Sequence, residues 1–284
     1  MTTARRFRLS FEFFPPKTDK GQTLLLETAA ALDANRPVFY SVTYGAGGST
    51  RDRTFEAVDG LISAGYAVAP HLSMGSDDKR AIEVLVDRYV DIGVKRMVAL
   101  RGDIPSGFGS TRHVSYAANL VALLRAHIDA ASKVPGFEIE VAAYPEMHPD
   151  APSPQEDIEH FRRKVAAGAN GAITQYFYNP DAYFDFVGRA NVDVPIVPGI
   201  MPITSYANLV RFSDNCGAEI PRWIRTRLAA YQNDDESLKA FGVDVVAALC
   251  QRLIDGGAPG LHFYTLNQAG PTQAILDRIA LPDG

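Results

Sequence analysis

Glu12 is the residue in this sequence most suited to moving a proton. It lies in Arg8 to Lys17 (RLSFEFFPPK), surrounded in sequence by phenylalanines. Burial disfavours the charged form of a carboxyl group and pushes its pKa up, so Glu12 reads as a proton donor near neutral pH. Thr43, His71, Arg101 with Asp103, Tyr144 with His148, and Gln175 follow along the chain, each at the end of an apolar run. Asp157 to Lys164 (DIEHFRRK) brings Asp157, His160, Arg163 and Lys164 onto about two helical turns. That stretch has two readings: a solvated basic face, or a seat for a diphosphate whose charge Arg and Lys neutralise.

These groups need a frame, and the apolar pattern supplies one. Strand-like runs occur at Arg8 to Phe14, Val38 to Tyr44, Ala67 to Ser73, Arg96 to Asp103, Glu138 to Pro145, Gly171 to Phe177, Pro195 to Pro202 and Gly260 to Leu266. Each is followed by a helical pattern, as in Asp77 to Asp91 (DDKRAIEVLVDRYVD), where acids open the helix and Gly93 stops it. Eight alternating units in 284 residues predict an α/β protein with a (β/α)8 TIM-barrel architecture. Pro221 to Gly257 predicts two extra helices before the last strand, separated by QNDDES. No linker interrupts the pattern, so residues 1–284 are expected to form one catalytic barrel domain. Active-site groups of such barrels sit at the C-terminal ends of the strands. Glu12, Thr43, His71, Arg101, Asp103, Tyr144, His148 and Gln175 fall there.

Bulk composition excludes several function classes. With 46% hydrophobic and 21% charged residues, the chain can bury a large core. A net charge of -5 with mixed signs offers no basic stripe, which argues against nucleic acid. Cys216 and Cys250 lie outside metal-type spacing, and the six histidines are scattered, so no metal site is expected. There is no signal-peptide pattern and no apolar stretch of membrane-spanning length, and a cytoplasmic protein is expected. GAGGST at Gly45 to Thr50 is not a dinucleotide fingerprint, and no phosphate-binding P-loop is present. The aromatics Tyr44, Tyr116, Tyr144, Tyr176, Phe177 and Tyr178 could pack a flat ring such as a flavin or pterin, or could be plain core.

Seven blocks carry a resemblance: SFEFFPPK (Ser10 to Lys17), SVTYGAGGSTRDRT (Ser41 to Thr54), ALRGD (Ala99 to Asp103), AAYPEMHPDA (Ala142 to Ala151), ITQYFY (Ile173 to Tyr178), PGIMPI (Pro198 to Ile203) and HFYTLN (His262 to Asn267). In this order the sequence closely resembles methylenetetrahydrofolate reductase of the bacterial type. The resemblance implies a flavoprotein oxidoreductase of one-carbon and methionine metabolism. FAD would take hydride from NADH or NADPH and pass it, in a ping-pong cycle, to 5,10-methylenetetrahydrofolate, giving 5-methyltetrahydrofolate.

By that resemblance Glu12 matches the general acid, and Asp103 a carboxylate that holds the pterin and affects flavin reactivity. Gln175 matches a folate-binding amide and Phe212 an aromatic against the substrate. Thr43, His71, Arg101, Gly102, Asp103, Tyr116, Ala142, Tyr144, His148, Asp157, Arg163 and Lys164 fall on FAD-contact positions. Three positions depart from the family pattern: His160 replaces Asn in the diphosphate cluster, Asn208 a folate-contacting Gln, and Gln268 an Arg after TLN. Altered folate-tail affinity is expected, with the chemistry intact. A methyl-transferring folate barrel serving a corrinoid partner leaves Glu12 and the Asp157 to Lys164 cluster without a task, and a non-catalytic folate or flavin binder has no use for a proton donor. Bacterial-type relatives suggest NADH over NADPH and a homo-oligomer. The chain ends soon after the eighth unit, so no regulatory domain responding to S-adenosylmethionine is expected.

Overall fold

The computed structural model describes residues 7–44, 51–73, 79–101, 117–131, 134–231 and 233–282. Strands and helices alternate: β1 (Arg8–Phe13), α1 (Asp19–Asp33), β2 (Phe39–Val42), α2 (Arg51–Ser63), β3 (Val68–Ser73), α3 (Lys79–Asp91), β4 (Arg96–Leu100), α4 (Ala117–Ala131), β5 (Glu138–Ala143), α5 (Pro154–Ala166), β6 (Gly171–Thr174) and α6 (Pro180–Ala190). Then come β7 (Ile196–Val197), β8 (Gly199–Ile200), α7 (Tyr206–Cys216), α8 (Arg222–Ala230), α9 (Asp235–Asp255), β9 (Gly260–Tyr264) and α10 (Ala269–Leu276). The helices start where the sequence provides caps. Thr18, Ser153, Asn179 and Ser205 each accept a backbone N–H from the first turn of α1, α5, α6 and α7. The extra helices expected before the last strand are α8 and α9.

All strand pairs are parallel, in the order β7-β6-β5-β4-β3-β2-β1-β9-β8. β7 and β8 are two halves of the expected seventh strand, parted at Pro198, and they join the sheet's ends into a barrel. β7 pairs with β6 through Ala172↔Ile196 and Ile173↔Val197, whereas β8 pairs with β9 through Gly199↔His262 and Ile200↔Phe263. Pro198 has no N–H to give to β9, so that ladder begins at its carbonyl, which accepts from His262 N at 3.0 Å. One residue later Gly199 N donates to Thr174 Oγ1 (2.9 Å) and the Thr174 carbonyl takes the Tyr264 hydroxyl instead (2.7 Å).

Alternation along the strands sorts the side chains between two spaces. Leu9, Phe11 and Phe13 of β1 face the helices within the main core, and Phe13 stacks on Tyr40 at 5.5 Å between ring centroids. The barrel interior holds only a small apolar layer of Phe39, Ala69, Val98 and Ile173. Below it, at the strands' N-terminal ends, Arg8 lies 3.3 Å from buried Glu140, and Arg96 pairs with both Glu138 and Glu140. The Arg96 guanidinium also sits 4.6 Å from the centre of the Phe39 ring. No helix among the described residues is long and apolar enough to cross a membrane.

Candidate active site at the barrel mouth

Glu12 points into the barrel, away from the phenylalanines beside it in sequence. The register sets Ser41 on one side and Tyr264 on the other, with His262 one step below, beside Ser10. Glu12 Oε2 accepts from His262 Nε2 at 3.4 Å and from Ser41 Oγ at 3.5 Å. His71 Nε2 stands 3.2 Å from the same oxygen. That nitrogen is fully buried and makes no aligned hydrogen bond, so its contact with Glu12 is chiefly electrostatic and its N–H direction stays open to another acceptor. His262, fully buried, is fixed from behind by Ser10 Oγ, 2.7 Å from Nδ1.

These partners reverse the ionisation expected from the sequence. Burial alone would raise the Glu12 pKa, but the charge of His71, the hydrogen bond from His262 and the further attraction of both rings bring it down to about 2. Glu12 is therefore a carboxylate at neutral pH in the ligand-free protein. Phe11 and Phe13 do not desolvate it, because strand alternation sends them to the other face. Glu12, His71 and His262 thus form one buried cluster at the mouth, with a single carboxylate oxygen facing both rings.

A second network occupies the neighbouring part of the mouth. Ser153 and Pro154 start α5, which turns Asp157 and Lys164 back toward the end of β5. Asp157 Oδ2 accepts from His148 N at 2.9 Å, His148 Nδ1 accepts from Asp150 N at 3.0 Å, and Asp150 pairs with Arg101 at 3.1 Å. Burial lowers the His148 pKa and Tyr144 packs edge-on at 4.5 Å, which suits a neutral imidazole accepting at Nδ1. Lys164 Nζ donates to the Ala142 carbonyl at 2.5 Å, and burial brings its pKa down to about 8. A cation desolvated this far gains from an anion. His160 shares the face of Asp157 and Lys164 and is partly buried, whereas Arg163 is mostly exposed and stands 3.9 Å from Glu159. Helix face thus sets Asp157, His160 and Lys164 apart from Arg163.

Other expected site residues are placed unevenly. Thr43 closes the end of β2, its N–H on the Phe13 carbonyl at 2.9 Å. Gln175 follows β6, its side-chain Oε1 accepting from Tyr176 N (3.0 Å), and with Tyr144, Glu146 and Cys216 it lines a shallow cleft. Phe212 is partly buried on α7 with Arg211 over its ring, and Asn208, one turn earlier, is exposed. Gln268 is exposed at the start of α10. Gly102, Asp103 and Tyr116 lie outside the described residues. Tyr176, Phe177 and Tyr178 are buried, Phe177 stacking on Tyr183 at 5.7 Å, so these three are core aromatics. Ser10, Ser41, His262 and Tyr264 were not singled out from the sequence. Their signal was a polar residue on the inward-facing alternate positions of β1, β2 and β9, where an apolar barrel centre would carry none.

A sequence model of the family described as methylenetetrahydrofolate reductase matches residues 1–280. The chain is 38% identical over 283 residues to 5,10-methylenetetrahydrofolate reductase of Salmonella typhimurium, covering 98% of this chain and 93% of that protein. The Escherichia coli protein of the same name is 37% identical with the same coverage. Arabidopsis thaliana methylenetetrahydrofolate reductase (NADH) 1 is 34% identical over 96% of this chain and 48% of its own length. Among solved structures, a Clostridium thermocellum protein described as binding two copies of 5-methyl-5,6,7,8-tetrahydrofolic acid superposes with a TM-score of 0.67 at 17% identity, covering 97% of this chain and 94% of that one. That likeness is one of fold.

Proposed function

The chain belongs to the methylenetetrahydrofolate reductase family, whose reaction is reduction of methylenetetrahydrofolate, and we propose that it works as an FAD enzyme with NADH as hydride donor and one shared site for both substrates. The observation that carries this reading is the adjacency, on one barrel mouth, of a carboxyl–imidazole cluster and a cationic ledge. The residues present fit the flavin: the buried His71 N–H lacks an aligned acceptor, and Lys164 and Arg101 are cations at the end of the mouth where an anionic diphosphate gains most. Arg101, Ala142, Tyr144, His148, Asp157 and Lys164 would hold it, with Thr43 and His71 at the ring end. NADH is preferred to NADPH on the family resemblance and on the name of the plant relative.

Bound FAD supplies a two-electron carrier that accepts hydride from a nicotinamide and donates it to carbon. The chain's own work is proton placement and exclusion of water. A pterin covering the mouth removes the water that still reaches Glu12, whose side chain is 15% exposed. Desolvation disfavours the charged carboxylate, so the proton affinity of Glu12 rises as the site fills and it takes up a proton. Glu12 then protonates the substrate nitrogen whose bond to the bridging methylene carbon breaks. Ser10 Oγ, 2.7 Å from Nδ1, holds the His262 ring in place against Glu12.

The test is an absorbance spectrum of the purified protein, then anaerobic titration with NADH and with the folate. The expected result is a flavin spectrum that bleaches with NADH and recovers with methylenetetrahydrofolate. Glu12→Gln should keep the bleaching and slow the recovery by about 10²- to 10⁴-fold, the usual worth of a general acid. Protein that neither releases a flavin on gentle denaturation nor can be reconstituted with FAD defeats the proposal.

A further inference from the structure

The segment after β9 ends the sheet in an unusual way. Thr265 N still donates to the Glu12 carbonyl (3.2 Å), a regular rung of the β9–β1 ladder. The next two rungs would use Phe14 N and Phe14 O. They are unavailable to the backbone, because Leu266 and Asn267 both adopt left-handed conformations, with φ of 51° and 57°, and the Thr265 carbonyl turns to accept from Gln268 N. The Asn267 side chain supplies both missing rungs: Oδ1 accepts from Phe14 N at 3.0 Å and Nδ2 donates to Phe14 O at 2.9 Å. Thr265 Oγ1 adds a second bond to the Glu12 carbonyl at 2.7 Å and also accepts from Asn267 N at 3.1 Å. Across the strand, Thr43 N holds the Phe13 carbonyl.

Residues 12–14 are thus gripped on both edges beyond the point where β9 has turned away. Left-handed φ at two consecutive non-glycine residues, one of them leucine, is unfavourable and persists only where the surroundings enforce it. What it achieves is a mouth freed of β9 backbone while the end of β1 stays rigid. Phe14, facing the same side of the strand as Glu12, is left with its ring 47% exposed. Resting on the reductase reading, we infer that Asn267 is a positioning residue for the acid: its amide, with Thr265, fixes where Glu12 meets the pterin and where Phe14 presents its ring. Neither residue touches the reacting atoms.

Asn267→Gly separates this role from backbone strain, since glycine accepts φ of 57° without cost while the amide rungs are lost. Asn267→Asp keeps an acceptor for Phe14 N and loses the donor to Phe14 O. In reconstituted full-length protein, Asn267→Gly should leave flavin reduction by NADH within about twofold and slow reoxidation by methylenetetrahydrofolate about ten- to hundredfold, the effect of a small misplacement of a reacting group. Asn267→Asp should fall between it and wild type. Independently of activity, hydrogen exchange at the Phe14 amide should quicken at least tenfold in Asn267→Gly, with the β1 amides before it unchanged. Unaltered reoxidation, equal slowing of both half-reactions, or unchanged exchange at Phe14 overturns the inference. Wild-type protein whose flavin is not reduced by NADH overturns the reductase reading and the inference with it, an outcome visible before any variant is made.

Discussion

Lys164 offers a test in which stability and ligand affinity should move in opposite directions. Burial lowers its pKa from 10.5 to about 8, so the folded protein disfavours its charge. At about 1.36 kcal/mol per pKa unit the full cost approaches ~3 kcal/mol, and partial solvent contact reduces it to about 2 kcal/mol. The folded pKa lies below the unfolded one, so the cost is complete below pH 8 and is relieved as pH rises from 8 toward 10.5. Lys164→Met removes the penalty but leaves the Ala142 carbonyl without its donor, worth about 1–3 kcal/mol in the other direction. Flavin-free Lys164→Met should therefore match wild type within about 1 kcal/mol at pH 7 in urea unfolding. Between pH 7 and pH 10 wild type should gain about 2 kcal/mol on the variant. Its FAD affinity should be at least tenfold weaker, because a charge-assisted contact worth about 1.5–3 kcal/mol is lost. Parallel unfolding curves across that pH range, or unchanged FAD binding by fluorescence titration, would refute the assignment of Lys164 as a cation held ready for an anion.

Two further changes probe the frame. Gly199→Ala should prevent accumulation of folded protein, since a Cβ there would run into the Thr174 carbonyl and the Tyr264 ring at the strand break, seen as loss of soluble protein and of a cooperative melt. Glu140→Ala should cost about 1–3 kcal/mol in urea unfolding, because Arg8 and Arg96 keep Glu138 but lose the more deeply buried of their two carboxylates. A loss below about 1 kcal/mol would show that water reaches those guanidinium groups.

The barrel was legible because its signals are local. Apolar period and stops such as Gly93 mark the elements within a few residues. The seventh strand shows the limit of such signals. Pro195 to Pro202 reads as one run, but its division depends on which neighbour each edge of Pro198 faces, and only closure of the barrel decides that. The grouping of Asp157, His160 and Lys164 was legible from their spacing in DIEHFRRK, while only the helix face separates Lys164 from exposed Arg163. The Asn267 clamp was not, since a left-handed pair after a strand leaves no compositional mark when its residues are Leu and Asn.

Glu12 shows how neighbours in sequence can mislead about the charge of a side chain. Its phenylalanine neighbours suggested a desolvated, protonated carboxyl, yet a strand sends adjacent side chains to opposite faces, so nearest in sequence means farthest in environment. The residues that lower its pKa are His71 and His262, which lie on β3 and β9 and reach it only when β1 pairs with β2 and β9 and β2 with β3. The sign of the shift follows from that closure. The Glu12 side chain keeps 15% exposure, so whatever covers the mouth takes the last water from a carboxylate held by two imidazoles, and desolvation then raises its proton affinity. On the proposed reading this is the behaviour a site used in turn by a hydride donor and a proton-requiring acceptor would call for: the donor's half-reaction has no use for an acid, and Glu12 would take up its proton as the pterin closes over it.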